Sequence, residues 1–237
     1  MDTVPAEIIV DVADASRGRR DATPSQLHGL ASSVLGETDE EHRSGRKPWS
    51  ASITRMTPDR FALRIGWLAV EPVTAVMEPP DPTGRVLHAL LDARMITTTY
   101  KDMLAEPARH VAMEFVSPTL IKRNGVVFPF PEPATVFGQL VERWNLYCPG
   151  DQRIGPGDKT TLLDALDVTA WSGRTGRIDL GREKGSKVGF VGRMVVELND
   201  AARDHTPFWL GGLARFAELA GAGAETPFGA GRVRVVR

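Results

Sequence analysis

A chain of 237 residues with 42% apolar and 25% charged side chains can bury one sizeable core or two smaller ones, which excludes a disordered protein. A formal net charge of -1 excludes wholesale coating of nucleic acid but leaves room for local basic patches. A single cysteine, Cys148, excludes an internal disulfide, no apolar run approaches the roughly 20 residues of a membrane span, and the acidic start MDTVPAEIIVDV lacks the basic end and apolar core of a signal peptide, so a reducing, cytoplasmic setting away from membranes is expected.

In chain order, AEIIVDVA reads as a short β-branched strand. Beyond the arginine-rich SRGRRDATPS, SQLHGLASSVLG reads as a helix opened by a polar cap and stopped by Gly36. WSASITRM and RFALRIGWLA, separated by the turn-like TPD, predict a hairpin, since Phe61, Leu63, Ile65 and Trp67 alternate with Arg64 and Gly66. After the proline-rich EPPDPTG, RVLHALLDARM puts Val86, Leu87, Leu90 and Leu91 on one helical stripe, and the β-branched ITTTY follows as a strand. The first half thus reads β-α-β-β-α-β.

From Arg109 the order begins again. HVAMEFVSPT alternates Val111, Met113 and Phe115, and a proline-punctuated turn, VFPFPEPAT, leads into the helix TVFGQLVERWNL. Beyond CPGDQRIGPGD lie three β-like pieces, LLDALDVTAW, GRIDLG and KVGFVGRMVVEL, then the helix FWLGGLARFAELA and the strand RVRVVR. The second half repeats the first with an extra strand. Two such units describe an α+β protein of tandem ferredoxin-like domains, residues 1–106 and 107–237, each an antiparallel sheet with helices on one face.

The loop before the last strand carries Gly221, Gly223, Gly229 and Gly231 in two pairs around Thr226 and Pro227. Such a loop either exposes backbone N–H groups to a phosphate or serves as a helix C-cap and long turn. Arg232 and Arg234 lie two apart and point to one side of the final strand. The segment is neither a Walker loop, which needs a Lys-Ser/Thr pair, nor a dinucleotide fingerprint, which follows a strand and opens a helix. Upstream, WSGRTGRIDLGREKGSKVGFVGR gathers Arg174, Arg177, Arg182, Lys184, Lys187 and Arg193 against Asp179 and Glu183. This is either an RNA-gripping hairpin or a solvated edge whose charges discourage strand pairing.

The chain-end has the form L-x-x-L-x-x-F-A-x-x-A-G-x-G, then threonine, then G-x-G-x-V-x-V. It is carried by Leu210, Leu213, Phe216, Ala217, Ala220, Gly221, Gly223, Thr226, Gly229, Gly231, Val233 and Val235. With KVGFVGRMVVEL and SPTLIKRNGVVFPFPEPATVFGQLVERWN upstream, it resembles the C-terminal signature of the CRISPR-associated endoribonucleases of the Cas-six type. The resemblance implies tandem ferredoxin-like domains and cleavage of precursor CRISPR RNA within its repeats. It further implies attack by the ribose 2′-hydroxyl without metal or cofactor, leaving a 2′,3′-cyclic phosphate and a 5′-hydroxyl. CRISPR repeat RNA is the implied partner, alongside other proteins of a CRISPR effector complex. In the first half EHRSGRKPWSAS resembles the family's histidine, basic residue and strand start. That implies His42 as general acid/base and Lys47 as the basic residue contacting phosphate.

Two departures stand out. Ser32 occupies the position of a tyrosine or second histidine on the first helix; His28, one turn earlier on the same face, either takes over its proton transfer or packs beside Leu27 and Leu30. Glu225 stands where the loop of the family carries a basic residue, so phosphate contact rests on the backbone and Thr226. Both departures favour the alternative of a non-catalytic repeat-RNA-binding subunit of the same fold. His88 and His110 read as structural, and His205 has no second ligand at metal spacing. Trp67, Trp144, Trp171 and Trp209 read as core, while Trp49 either stacks a base or starts a strand.

Overall fold

In the computed structural model of the chain, the described residues are 5–14, 23–38, 40–41, 46–57, 60–69, 71, 73, 88–123, 125–182 and 184–236. The first half contains β1 (Ala6–Asp14), α1 (Pro24–Val34), β2 (Trp49–Thr57), β3 (Arg60–Trp67) and β4 (His88–Thr97). Its sheet has the order β2-β3-β1-β4 with every pair antiparallel. Ile8, Val10, Val12, Phe61, Leu63 and Ile65 form the inner face, against which α1 packs Leu27, Leu30, Ala31 and Val34. Thr23 starts α1 with a capping box: its side chain accepts from the Gln26 N–H while the Gln26 side chain accepts from Thr23.

The helix expected over RVLHALLDARM is not found. Residues 88–97 form β4 instead, with Val10 opposite Ala93 and Ile8 opposite Met95; residues 85–87 lie outside the described residues. A short apolar run satisfies helical and extended periods alike, and the open edge of β1 decides between them: its backbone donors and acceptors are paired only if this segment is a strand. The strand expected over ITTTY ends at Thr97, and α2 (Tyr100–Met103) begins under a Thr99 cap.

The second half runs β5 (His110–Thr119), β6 (Ile121–Arg123), β7 (Val126–Phe128), α3 (Pro133–Tyr147), α4 (Pro156–Asp164), β8 (Leu166–Asp179), β9 (Ser186–Leu198), α5 (Thr206–Ala220) and β10 (Val233–Val236). Its four-stranded sheet, β10-β5-β9-β8, repeats the topology of the first. The three expected β-like pieces resolve differently. LLD belongs to α4, and LDVTAW and GRID merge into one long β8 that bulges at Val168 and Ala170. The extra strands are those of the short β6–β7 hairpin, whose last two residues, Val127 and Phe128, open the segment where a turn was expected.

The second core gathers Met113, Phe115, Phe137, Leu140, Trp144, Leu213 and Phe216, and Leu68, Tyr100 and Met103 from the first half join it. Trp144 is fully buried, whereas Trp171, expected in the core, is 57% exposed because β8 is the sheet edge. The two halves meet closely where α5 crosses β3. A Cβ at Gly66 would collide with the Leu219 backbone, and the Ser50 hydroxyl donates to the Leu219 carbonyl. Among the described residues no helix is long and apolar enough to cross a membrane.

Candidate functional site

The inner face of α1 carries His28 and Ser32, both buried. Past Gly36, whose φ of 63° turns the chain back, Glu37 comes to rest beneath this face. The Ser32 hydroxyl donates to Glu37 Oε2 at 2.6 Å, the Trp49 indole N–H donates to Oε1 at 2.7 Å, and Lys47 Nζ sits 3.0 Å from both oxygens. Lys47 and Glu37 are each only 6% exposed along their side chains, so this is a buried ion pair. Burial pushes the Glu37 pKa up, but hydrogen bonds from Ser32, Trp49 and Lys47 and the lysine charge outweigh it, and the net shift is downward. Lys47 also donates to the carbonyl of Glu41. His42, the next residue, lies outside the described residues.

His28 is held between two rings. It lies parallel to Phe228 at 4.1 Å and within 25° of parallel to Trp49 at 5.1 Å. Trp49 therefore starts a strand, fully buried, and stacks on a histidine. Lys184 Nζ covers the Phe228 ring at 3.9 Å. The basic hairpin of the second half thus reaches the helix expected to carry chemistry in the first.

Gly221, Gly223, Gly229 and Gly231 all have positive φ, between 70° and 85°. They fold the loop onto itself and onto the end of β5. The Ala222 N–H donates to the Gly231 carbonyl, the Ala224 N–H to Leu120, the Gly231 N–H to Pro118, and those of Phe228 and Gly229 back to Glu225 and Thr226. Much of the expected display of N–H groups is consumed internally. Among the described residues, the amides of Gly223, Glu225 and Thr226 have no internal acceptor, and these three residues line a cleft of about 450 Å³ with Arg46, Lys47 and Arg143.

Arg143 was not singled out from the sequence. It stands on the buried stripe of α3, seven residues after Val136 and three after Leu140, and a charged residue at such a position is the signal that marks it. One guanidinium nitrogen donates to the Ala220 carbonyl at 2.6 Å and to Thr226 Oγ at 2.7 Å, and the other to the Trp49 carbonyl at 3.0 Å. It pins the glycine-rich loop to the end of α5 and to β2. Among the described residues no carboxylate forms an ion pair with it, and burial pulls its pKa down to about 10.

Glu225, the acidic departure in the loop, is the one non-glycine with positive φ among the described residues. Its carboxylate is 12% exposed and meets three lysines, Lys184 at 2.7 Å, Lys187 at 3.1 Å and Lys122 at 3.6 Å. Burial pushes its pKa up, but the hydrogen bonds and charges of Lys184 and Lys187 outweigh this and lower it. Three lysines against one carboxylate leave the loop positive.

The remaining basic residues are not all drawn here. Arg174, Arg177 and Arg182 are exposed along and beyond β8, with Arg174 and Arg177 on opposite faces of the strand. Arg232 and Arg234 line a different cleft, of about 560 Å³, together with Arg64 and Arg215. There Arg232 donates to Thr54 Oγ at 2.7 Å and Arg234 pairs with Glu114 at 3.3 Å. Burial and the neighbouring Arg64 and Arg234 lower the Arg232 pKa. Among the described residues no group of three or more His, Cys, Asp or Glu side chains is placed to hold a metal ion.

The family model for the CRISPR-associated endoribonuclease Cas6 matches residues 113–233. No curated protein matches the chain. Among solved structures, a Cas6 product complex shares 27% identity over 99% of this chain and 100% of its own, with a TM-score of 0.76. A Cas6 substrate mimic complex shares 26% over 99% and 100%, with a TM-score of 0.72. A Cas6 from Thermus thermophilus, at 21% identity over 100% of both chains, superposes with a TM-score of 0.77.

Proposed function

The chain belongs to the family of the CRISPR-associated endoribonuclease Cas6, and from that premise we propose that it cuts precursor CRISPR RNA within each repeat without a metal ion, in the cytoplasm. The ribose 2′-hydroxyl attacks its own phosphate; its proton passes to the protein, and the leaving 5′-oxygen takes a proton from the protein. The products are a 2′,3′-cyclic phosphate and a 5′-hydroxyl, and DNA, which lacks the nucleophile, resists cleavage.

The observation that carries this reading is the joining of the glycine-rich loop to α1, through the stacking of Phe228 on His28, and to the start of β2, through Arg143 bridging Thr226 and Trp49. In the proposed reaction His42 and His28 share the two proton transfers. Lys47 supplies positive charge toward the nonbridging oxygens, and Ser32 helps Glu37 hold Lys47. The loop at Gly221, Gly223, Thr226, Gly229 and Gly231 holds the RNA backbone beside Lys184 and Lys187. Arg174, Arg177 and Arg182 extend the grip along the hairpin, and Arg232 and Arg234 extend it into the second cleft. The work divides between residues 1–106, with the catalytic histidine, and residues 107–237, with the loop.

The engagement of Lys47 with Glu37 favours a second reading, a repeat-RNA-binding subunit of an effector complex that does not cut. One experiment separates the two: labelled repeat RNA is incubated in EDTA with wild type and His42→Ala, and both binding and product ends are measured. Cyclic-phosphate products from wild type alone support the endonuclease. Tight binding without products supports the second reading, and cleavage that needs Mg²⁺ overturns the mechanism.

A further inference from the structure

The β6–β7 hairpin interrupts the repeated four-stranded plan, and its outer surface is apolar where a solvated hairpin is ordinarily polar. Val126 is 57% exposed, Phe128 45% and Phe130 41%. Trp171, at 57%, extends the patch from β8, its ring 5.4 Å from that of Phe130 at 86°. An edge-to-face pair leaves a ring face open to a third planar group. Beside it lies a concavity of about 270 Å³ lined by Ile121, Arg123, Phe128, Phe130, Glu132 and Thr135. A contiguous exposed patch, unlike single exposed side chains, marks a contact surface.

Three observations select its occupant. The hairpin is continuous with the lysine cluster, since Leu120 bridges to Ala224 of the glycine-rich loop and Lys122 reaches Glu225. Alternation along β6 sends Lys122 toward that loop and Ile121 and Arg123 to the other side, where Arg123 lines the aromatic concavity. A chain whose phosphates meet the lysines therefore needs to cross only one strand to lay its bases on the rings. Finally, four apolar side chains are few beside the roughly 20–30 residues each partner commits to a standard protein interface, while one or two bases fill them.

We propose that Phe128, Phe130 and Trp171, with Arg123 at their rim, form a stacking platform for unpaired bases of the RNA whose phosphates lie at Lys122, Lys184 and Lys187. The proposal rests on the RNA-binding reading above and adds a base-contacting subsite to it. Stacking depends on the π-face that every base presents, so the platform tolerates sequence and requires unpaired RNA.

The test uses the full chain in the His42→Ala background and repeat RNA carrying 2-aminopurine at one unpaired position at a time. Binding to the parent quenches the fluorophore at one or two positions. Phe128→Ala/Phe130→Ala abolishes that quenching and weakens the affinity on the order of 10-fold. The slope of log affinity against log salt stays unchanged, because no charge is removed. Phe128→Tyr/Phe130→Tyr keeps the rings and retains both quenching and affinity. Equal quenching and affinity in the alanine variant overturn the platform and leave the RNA reading standing. So does an alanine variant that binds RNA normally but sediments as a smaller oligomer than its parent, which identifies a protein contact. A parent that binds no repeat RNA overturns both readings.

Discussion

Glu225→Gln separates two roles for the acidic residue in the loop, masking the lysines or arranging them. Glutamine keeps the shape and the left-handed backbone and removes one negative charge, so the local sum of three lysines and one carboxylate rises from +2 to +3. The lysines are 24–41% exposed, and each such pair contributes about 0–1 kcal/mol, which puts the stability loss at roughly 1–2 kcal/mol. In a chain of this size that lowers Tm by about 2–8 °C. RNA binding moves the opposite way. One further cation free to neutralise a phosphate steepens the salt dependence by about 0.7–0.9. With the gain vanishing near ~1 M, affinity at about 50 mM salt then rises ~10-fold, and the gain shrinks by about 3-fold toward 200 mM. Fluorescence anisotropy of labelled repeat RNA across that range, in the His42→Ala background, reads both quantities. Weaker binding at every salt concentration with an unsteepened slope would refute masking and show that Glu225 arranges the lysines.

Arg143→Met leaves the Trp49 and Ala220 carbonyls and the Thr226 hydroxyl without their donor. At about 1–3 kcal/mol per orphaned group, offset by the charge no longer buried, the loss is about 3 kcal/mol and Tm falls by roughly 6–12 °C; a melt within 2 °C of wild type sinks the bracing role. For Glu37→Gln the sign follows from its lowered pKa: the contribution of Glu37 is complete above the ordinary value of 4.5 and lost as pH falls through the lowered one. Urea titrations should therefore show a gap of about 3 kcal/mol between wild type and variant at pH 7 that begins to narrow as pH falls below 4.5, and a gap that stays constant throughout that descent contradicts the buried pair. Gly231→Ala forces a left-handed φ of 70° and drives a Cβ into the Ala222 carbonyl. It should cost at least about 2 kcal/mol and disable the loop, and wild-type stability and RNA affinity in the variant would contradict the folded loop described above.

Local pattern was enough for α1, the β2–β3 hairpin, β5, α3, α5 and β10, because each has a single apolar period and its own cap or turn. The chain-end signature was legible for the same reason: its glycines answer a local backbone demand for positive φ. Even Arg143 left a trace, as a charge on an apolar stripe. His28 and Ser32 could be placed on one helix face by counting, but not the aromatic rings that enclose His28, which come from Trp49 and Phe228 far along the chain.

What lay beyond the sequence was every outcome decided by a partner distant along it. β4 became a strand because β1 had an edge to fill. Lys47 was legible as a cation, but its burial against Glu37 depended on how the chain turns at Gly36. Glu225 read as a defect in an RNA-binding loop, and only the fold brings Lys122, Lys184 and Lys187 around it and turns the sign of the site positive. Backbone geometry and periodicity are local and so are written in neighbouring residues, whereas charge acts through space and is set by which segments the tertiary structure brings within a few ångströms.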